Sequence, residues 1–376
     1  MAKKIKSSAG KLSMADMRKL INKKAGMVVA HDLSEENPTE VTTWIPTGSR
    51  WLDSIICRGK LAGIPVGKIT EIAGLEGTGK SYMAAQIAAN AQKLGMDVVY
   101  FDSESAIDPA FLENAGCDLD HLLYIQATTV EFVLETIEEL LASENQFLFI
   151  WDSLAMTPAD KVAEGDFNPQ ASMAVKPRVL SVGMKKLTIP IANTNSTFLV
   201  LNQLKTNIPQ GPNARIIAMT TPWFAPGGKA MHYAYSLRIW LTGRKAKSAF
   251  VLDNNGFRIG SEVKVTLEKS RFGTQGRNCN FRILWGGEEV SIQDDESLFN
   301  AVKASDNIIQ SGAWYTMVFA DGKTEKFQAA KWVEKMQDDK FRQRVYQIMD
   351  EEVIMKFEKR QGNASDFYDT EEENQD

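Results

Sequence analysis

The residues best suited to chemistry stand in one short run: Gly74, Leu75, Glu76, Gly77, Thr78, Gly79, Lys80 and Ser81. They spell GLEGTGKS and fit the spacing G-x-x-x-x-G-K-[ST] of a phosphate-binding loop. Glycines let backbone N–H groups curl around phosphate oxygens with no Cβ in the way. A helix starting directly after the loop adds the positive end of its dipole. Lys80 can then reach the β- and γ-phosphates of a nucleoside triphosphate, and the Ser81 hydroxyl can ligate Mg²⁺.

Three further runs end apolar strands in polar groups. FLFIWDS (Phe147–Ser153) places Asp152 where a carboxylate can hold a metal-bound water beside the phosphate loop. An Asp that merely ends a strand near a turn is common, but here it lies downstream of a phosphate loop. VVYFDSESAIDPAF (Val98–Phe111) offers Asp102 and Glu104. Glu104 is suited to polarise an attacking water, while Asp102 could equally cap a helix or serve structure. TFLVLNQ (Thr197–Gln203) ends in two amides, which can sense a γ-phosphate by hydrogen bonding without a change of charge.

These groups need a scaffold that lines up strand ends. Strand candidates are Lys68–Ala73, Asp97–Asp102, Leu122–Ile125, Phe147–Trp151, Thr197–Leu201, Ser236–Leu241, Glu262–Leu267 and Asn280–Leu284. Helical stretches lie at Lys80–Leu94, Val130–Ala142 and Arg178–Ile189, and Pro190 should end or kink the last of these. Strand–helix–strand order predicts an α/β fold, a mostly parallel sheet flanked by helices. The runs from Ser236 onward lack intervening helices, so they are expected as antiparallel strands at one edge. Residues 1–45 read as a basic N-terminal helix and linker, 46–290 as the core, 291–360 as a small α-rich domain and 361–376 as an acidic, disordered tail.

Composition narrows the class. The chain has 376 residues, 44% apolar and 24% charged, enough for a full core. The scattered Cys57, Cys117 and Cys279, with only three histidines, do not form a disulfide framework or a zinc site and fit a reducing cytoplasm. No apolar run is long enough to span a membrane, and the basic start is not followed by an apolar signal core. Net charge is −5, yet residues 1–24 carry +7 and residues 363–376 hold six acids and no base. Such a tail could compete for basic surfaces.

The order of the pieces (phosphate loop, FDSESAIDP, strand plus Asp-Ser, strand plus Asn-Gln) resembles the RecA family of DNA recombinases. PTGSRWLDS (Pro46–Ser54), PWFAPGGKAMHYAYSLRIWL (Pro222–Leu241) and SGAWYT (Ser311–Thr316) resemble further family segments, and LEKSR (Leu267–Arg271) looks closer to the phage UvsX-type strand-exchange proteins. The resemblance spans roughly residues 10–360 and implies a RecA-like P-loop ATPase core. It implies ATP on Gly74–Ser81, Mg²⁺ on Ser81 and Asp152, Glu104 as the water-activating carboxylate, and Asp108 and Phe111 at the adenine. Gln203 would link the γ-phosphate to a second DNA loop at about 204–228. The first DNA loop would be Val162–Met173, followed by the basic residues Arg178, Lys185 and Lys186. A pair of family lysines that reach the neighbouring subunit's ATP falls on Leu267 and Lys269, with Arg271 as a substitute.

The second loop has DNA-binding chemistry of its own. It combines the cations Lys205, Arg215 and Lys229 with the aromatics Trp223 and Phe224 and the hinge pair Gly227 and Gly228. The activity expected is ATP-dependent pairing and strand exchange by a head-to-tail filament on single-stranded DNA. Its partners would be homologous duplex DNA, a recombination mediator and a single-strand-binding protein, in the cytoplasm, or that of a host if phage-encoded. The alternative is a ring-forming motor such as a hexameric DNA helicase, which would share the same ATPase residues.

Overall fold

The computed structural model describes residues 12–26, 28–35, 39–143, 145–163, 175–209, 211–243, 249–286 and 291–356. The chain divides into two units, residues 1–42 and 43–376. In the first, α1 (Met14–Ala25) begins at Ser13, whose hydroxyl accepts the Asp16 amide at 3.1 Å, and ends at Gly26 with φ +70°. Met14, Met17, Leu20 and Ile21 recur at helical spacing and are all exposed.

The second unit opens with β1 (Trp44–Ile45), α2 (Arg50–Ile56) and β2 (Ile64–Pro65). Alternating elements follow: β3 (Ile69–Gly74), α3 (Lys80–Gln92), β4 (Asp97–Asp102), α4 (Pro109–Asn114), β5 (Leu122–Gln126), α5 (Val130–Leu141), β6 (Phe147–Asp152), α6 (Asp160–Ala163), α7 (Val175–Asn193) and β7 (Thr197–Gln203). Next come β8 (Lys205–Thr206), α8 (Ala214–Thr220), β9 (Trp223–Phe224), α9 (Gly228–Ala234), β10 (Leu237–Gly243), β11 (Phe250–Leu252), β12 (Arg258–Ser270), β13 (Asn278–Leu284) and β14 (Ser291–Gln293).

The large sheet runs β14-β13-β12-β10-β3-β7-β6-β4-β5, with β11 paired to β12. From β10 to β5 every pair is parallel, and from β10 to β14 every pair is antiparallel. Every residue of β3 and β6 is buried; β6 accordingly reads as an apolar run up to Asp152, while β3 buries the polar Thr70 and Glu71 among its apolar residues. Met83, Ala84 and Ala88 of α3 pack with Ile72, Leu199 and Phe281 in one core cluster. Val133 and Ile137 of α5 and Leu180 and Leu187 of α7 pack with Phe149, Trp151 and Phe198 in another. Gly183 lets α7 approach α5 closely: a Cβ there would stand 2.5 Å from Leu134 Cδ1, so that side chain would have to move.

Three expectations change. The helix after the first loop starts at Val175 and runs past Pro190 to Asn193, and the Thr194 amide still bonds the Pro190 carbonyl at 3.0 Å. Pro190 lies in the last turn, and the helix closes three residues beyond it at Asn193. The first of the late strands, β10, is antiparallel to β12 but parallel to β3, so it joins the two halves of the sheet. Strand β12 is not an edge strand either, since β10 and β13 flank it.

The C-terminal region contains α10 (Asp295–Val302), β15 (Ile308–Ser311), β16 (Trp314–Val318), β17 (Thr324–Gln328), α11 (Trp332–Lys335) and α12 (Asp339–Ile348). The helices were anticipated; the three-stranded meander β15-β16-β17 was not. SGAWYT forms the β15–β16 hairpin, with Ser311 opposite Trp314. Leu298, Phe327, Trp332 and Phe341 form a separate small core. Asp294 ties this region to α2, accepting from Ser49 Oγ and the Trp51 amide, both at 2.9 Å. The acidic tail lies outside the described residues.

Candidate nucleotide and DNA site

The parallel strands β3, β7, β6 and β4 deliver their C-terminal ends to one edge of the sheet. The phosphate loop leaves β3 there and feeds α3, whose preceding residue Gly79 has φ +79°. Gly77 also has a positive φ, +67°, which an L side chain rarely adopts. A Cβ on Gly74 would lie 2.5 Å from Thr78 Oγ1, and the Thr78 hydroxyl itself closes the loop onto the Leu75 carbonyl at 2.7 Å. Lys80 Nζ donates to the Leu75 carbonyl at 3.2 Å. Burial lowers the Lys80 pKa, while Asp152, Glu104 and Glu76 pull it back up. A cation without a fully matched partner, at a helix N-terminus, is suited to an anionic ligand.

Asp152 ends β6 opposite Asp102 of β4 in register. Its Oδ2 accepts from Ser81 Oγ at 2.7 Å and from Tyr100 OH at 2.9 Å. Burial raises its pKa, and those two hydroxyls oppose the rise. A hydroxyl beside a carboxylate is a hard-oxygen donor set, which fits Mg²⁺ once phosphate and water oxygens complete the shell. Asp102 turns out to organise the backbone. It accepts from the amides of Glu104, Ala106 and Ile107 at 2.8, 2.9 and 3.1 Å, and from Tyr124 OH at 3.1 Å. That turn presents Glu104 outward, where Ser153 Oγ donates to Glu104 Oε1 at 3.1 Å.

A cavity of about 280 Å³ gathers Ser81, Glu104, Asp152, Asp108 and Phe111. Asp108 uses a carboxylate oxygen to cap α4 through the Ala110 amide at 3.1 Å. Phe111 meets Tyr82 edge to face with centroids 4.8 Å apart, and Tyr82 lies 6.5 Å from Trp285. Tyr82 therefore lines this cavity beside Phe111, which motif spacing did not reveal, and Trp285 stands next to Tyr82.

Gln203 stands beside Gly74 in register, and the Leu204 amide bonds the Gly74 carbonyl at 2.9 Å. Its neighbour Asn202 connects to the second loop. Asn202 Nδ2 donates to the Pro226 carbonyl at 2.7 Å and to Glu71 Oε1 at 3.0 Å. Glu71 Oε2 accepts from Arg238 Nε at 2.6 Å in a buried ion pair, and Arg238 Nη1 donates to His232 Nδ1 at 2.6 Å. Burial, Arg238 and Lys269 all lower the His232 pKa, in keeping with the neutral ring that must accept this bond. This chain of contacts was invisible in the sequence, because its members are separated by up to 167 positions.

Between Leu204 and Gly228 the chain is more ordered than an open loop. Lys205 pairs with Phe224 and Thr206 with Trp223 in the short β8–β9 ribbon, and α8 carries Arg215. Phe224 is 45% exposed and Trp223 half-buried, so neither is a core residue. Gly227 and Gly228 have φ +119° and +79° and open α9, with Lys229 exposed behind them. Arg178, Lys185 and Lys186 are exposed on α7. Lys186 Nζ lies 3.3 Å from Glu138 Oε2, and Arg178 and Lys186 line a groove with Glu131, Glu135 and Glu138 of α5. Of Val162–Met173, the part from 164 lies outside the described residues.

Leu267 is fully buried, so the first position of the expected cation pair holds a core residue. Lys269 Nζ donates to the His232 carbonyl and Arg271 Nη2 to the Tyr233 carbonyl, both at 2.6 Å. They cap the C-terminal end of α9, a favourable place for cations. Burial, with Arg271 and Arg238 nearby, lowers the Lys269 pKa to about 8. The sequence reading also missed Lys176, whose Nζ donates to the carbonyls of Leu154, Ala155 and Thr157 and pins the start of α7 to the turn after Asp152.

A phosphate loop after one central strand, acids closing the two strands beyond it and an amide at the strand between them define a P-loop ATPase. Residues 12–291 match the RecA N-terminal domain family. The chain is 31% identical over 316 residues to the RecA protein of Fusobacterium nucleatum, covering 83% of this chain and 78% of that protein. It is 30% identical over 311 residues to RecA of Saccharopolyspora erythraea, covering 83% of each chain. With RecA of Thermus aquaticus it shares 30% over 304 residues, covering 81% of this chain and 84% of that one. The chain belongs to the RecA family. It is a RecA-type recombinase and a DNA-dependent ATPase, and these relatives do not favour the helicase alternative.

Proposed function

We propose that this chain is a UvsX-type member of the family that assembles on single-stranded DNA, binds ATP with Mg²⁺, and pairs the DNA with a homologous duplex. The carrying observation is the single edge where Lys80, Ser81, Asp152 and Gln203 meet and from which Gln203 runs directly into the β8–β9 ribbon. LEKSR at Leu267–Arg271 supports the UvsX-type assignment. Gly74–Ser81 cradle the phosphates and Asp108 and Phe111 flank the base. Ser81 and Asp152 would hold the metal, which when bound offsets charge on the phosphates. Glu104, steadied by Ser153, takes the proton of the attacking water.

Gln203 reads the γ-phosphate. Asn202 carries its strand end to Pro226 and, through Glu71 and Arg238, to His232 on α9. DNA is held by Arg178, Lys185, Lys205, Arg215 and Lys229, with Trp223 and Phe224 against bases. Lys186 contributes less because Glu138 faces it. Lys269 and Arg271 face the ATP of the next subunit, and the exposed apolar stripe of α1 supports assembly. Head-to-tail contacts that do not close make a helical filament. A mediator and a single-strand-binding protein complete the set of partners, in a host cytoplasm. Electron microscopy with single-stranded DNA and ATP tests this: filaments are expected, and closed rings would overturn it in favour of a hexameric motor.

A further inference from the structure

Asp152 is buried with two hydroxyls aimed at one of its oxygens. Ser81 Oγ and Tyr100 OH both donate to Oδ2, at 2.7 and 2.9 Å. Metal binding accounts for Ser81 and leaves Tyr100 unexplained. Tyr100 is fully buried on β4, two residues before Asp102, so both side chains leave the same face of the strand. In register it sits opposite Ile150, and its hydroxyl reaches diagonally to the end of β6. A phenylalanine would fill nearly the same volume without burying a polar atom. The hydroxyl must therefore be explained by what it does to Asp152.

We propose that Tyr100 is a positioning residue for the divalent metal. A carboxylate turns freely about its last torsion, which is broad and roughly two-fold. Two donors converging on Oδ2 stop that rotation, commit Oδ2 to the protein and leave Oδ1 for water on the ion. Partners of this kind, one step removed from the metal, orient the groups that serve it. The inference rests on the reading of Ser81 and Asp152 as the Mg²⁺ site. Tyr124 supplies an internal comparison. Its hydroxyl donates to Asp102 Oδ2 at 3.1 Å, but Asp102 is occupied with the backbone of residues 104–107. Deleting that hydroxyl removes the same chemistry from a carboxylate with no metal role.

The test uses Mn²⁺ as a spectroscopic probe, titrated into the full chain with ADP and followed by paramagnetic resonance. Tyr100→Phe should weaken Mn²⁺ binding about three- to tenfold, less than loss of a metal ligand because Ser81 still holds Oδ2. Tyr124→Phe should leave it unchanged. In an Asp152→Asn background the Tyr100→Phe effect should vanish, because the carboxylate it orients is gone. The Mg²⁺ concentration for half-maximal ATPase should rise by the same factor, with kcat at saturating Mg²⁺ within about twofold of wild type. Thermal unfolding establishes that each variant is folded. Wild-type Mn²⁺ affinity in folded Tyr100→Phe overturns the inference, as does a loss that persists in Asp152→Asn. If wild-type protein with ADP binds Mn²⁺ no better than ADP alone, the Ser81–Asp152 metal reading fails instead.

Discussion

Lys80 and Glu104 lie within one site yet do separable work. With Lys80 on the phosphates, as proposed, Lys80→Ala should abolish ATP binding, measured by calorimetry. With Glu104 as the proposed base, Glu104→Gln should keep ATP and DNA binding and lose about 10²–10⁴-fold in hydrolysis. Hydrolysis at the wild-type rate by Glu104→Gln in the presence of DNA would remove it as the base. Gln203→Ala should still bind ATP, but a non-hydrolysable analogue should no longer raise affinity for single-stranded DNA. An undiminished effect of the analogue would take Gln203 out of the switch and leave Asn202 and its Glu71–Arg238 chain as the connection.

At the scale of elements, α2 meets the C-terminal region over two buried acids. Asp53 accepts from Thr47 Oγ1 at 2.7 Å, and burial pushes its pKa up to about 8. The folded state therefore keeps this proton to higher pH than the unfolded chain, where the group titrates near its ordinary value. Its stabilising contribution is complete below about pH 4 and is lost as pH rises through 8. Asp53→Asn, whose amide oxygen can still accept from Thr47, should flatten the fall in Tm between pH 4 and 8. An unchanged slope would show that Asp53 is ionised when folded. The parallel core was legible in the sequence because its inner strands β3, β7, β6 and β4 are buried on both faces and its helices alternate with them. The site was legible where spacing is local, from Gly74 to Ser81, or where a strand ends in an acid. The meander β15-β16-β17 was not, since its strands are short and mix polar with apolar residues. Tyr100 and Arg238 escaped because only the folded sheet brings them to the site, Tyr82 because the residue after a phosphate-loop motif is unconstrained by it, and Pro190 misled because α7 continues three residues beyond it.

For the whole molecule, ATP turnover in the proposed filament is a property of neighbouring subunits. Lys269 and Arg271 cap α9 within their own chain, and the proposal gives them a second role at the next subunit's phosphates. Lys80→Ala and Lys269→Ala should each be nearly inactive. An equal mixture should regain DNA-stimulated ATPase, because about a quarter of head-to-tail interfaces would pair intact Lys80 with intact Lys269. A co-assembled mixture that stays inactive would confine Lys269 to capping α9. The central claim is recombination itself, and strand exchange between circular single-stranded DNA and a homologous linear duplex measures it most directly. Joint molecules and then exchanged products should form with ATP, fail to form without nucleotide, and fail with a heterologous duplex. DNA-stimulated ATP hydrolysis with no homology-dependent pairing, by protein that binds both DNAs, would contradict the account.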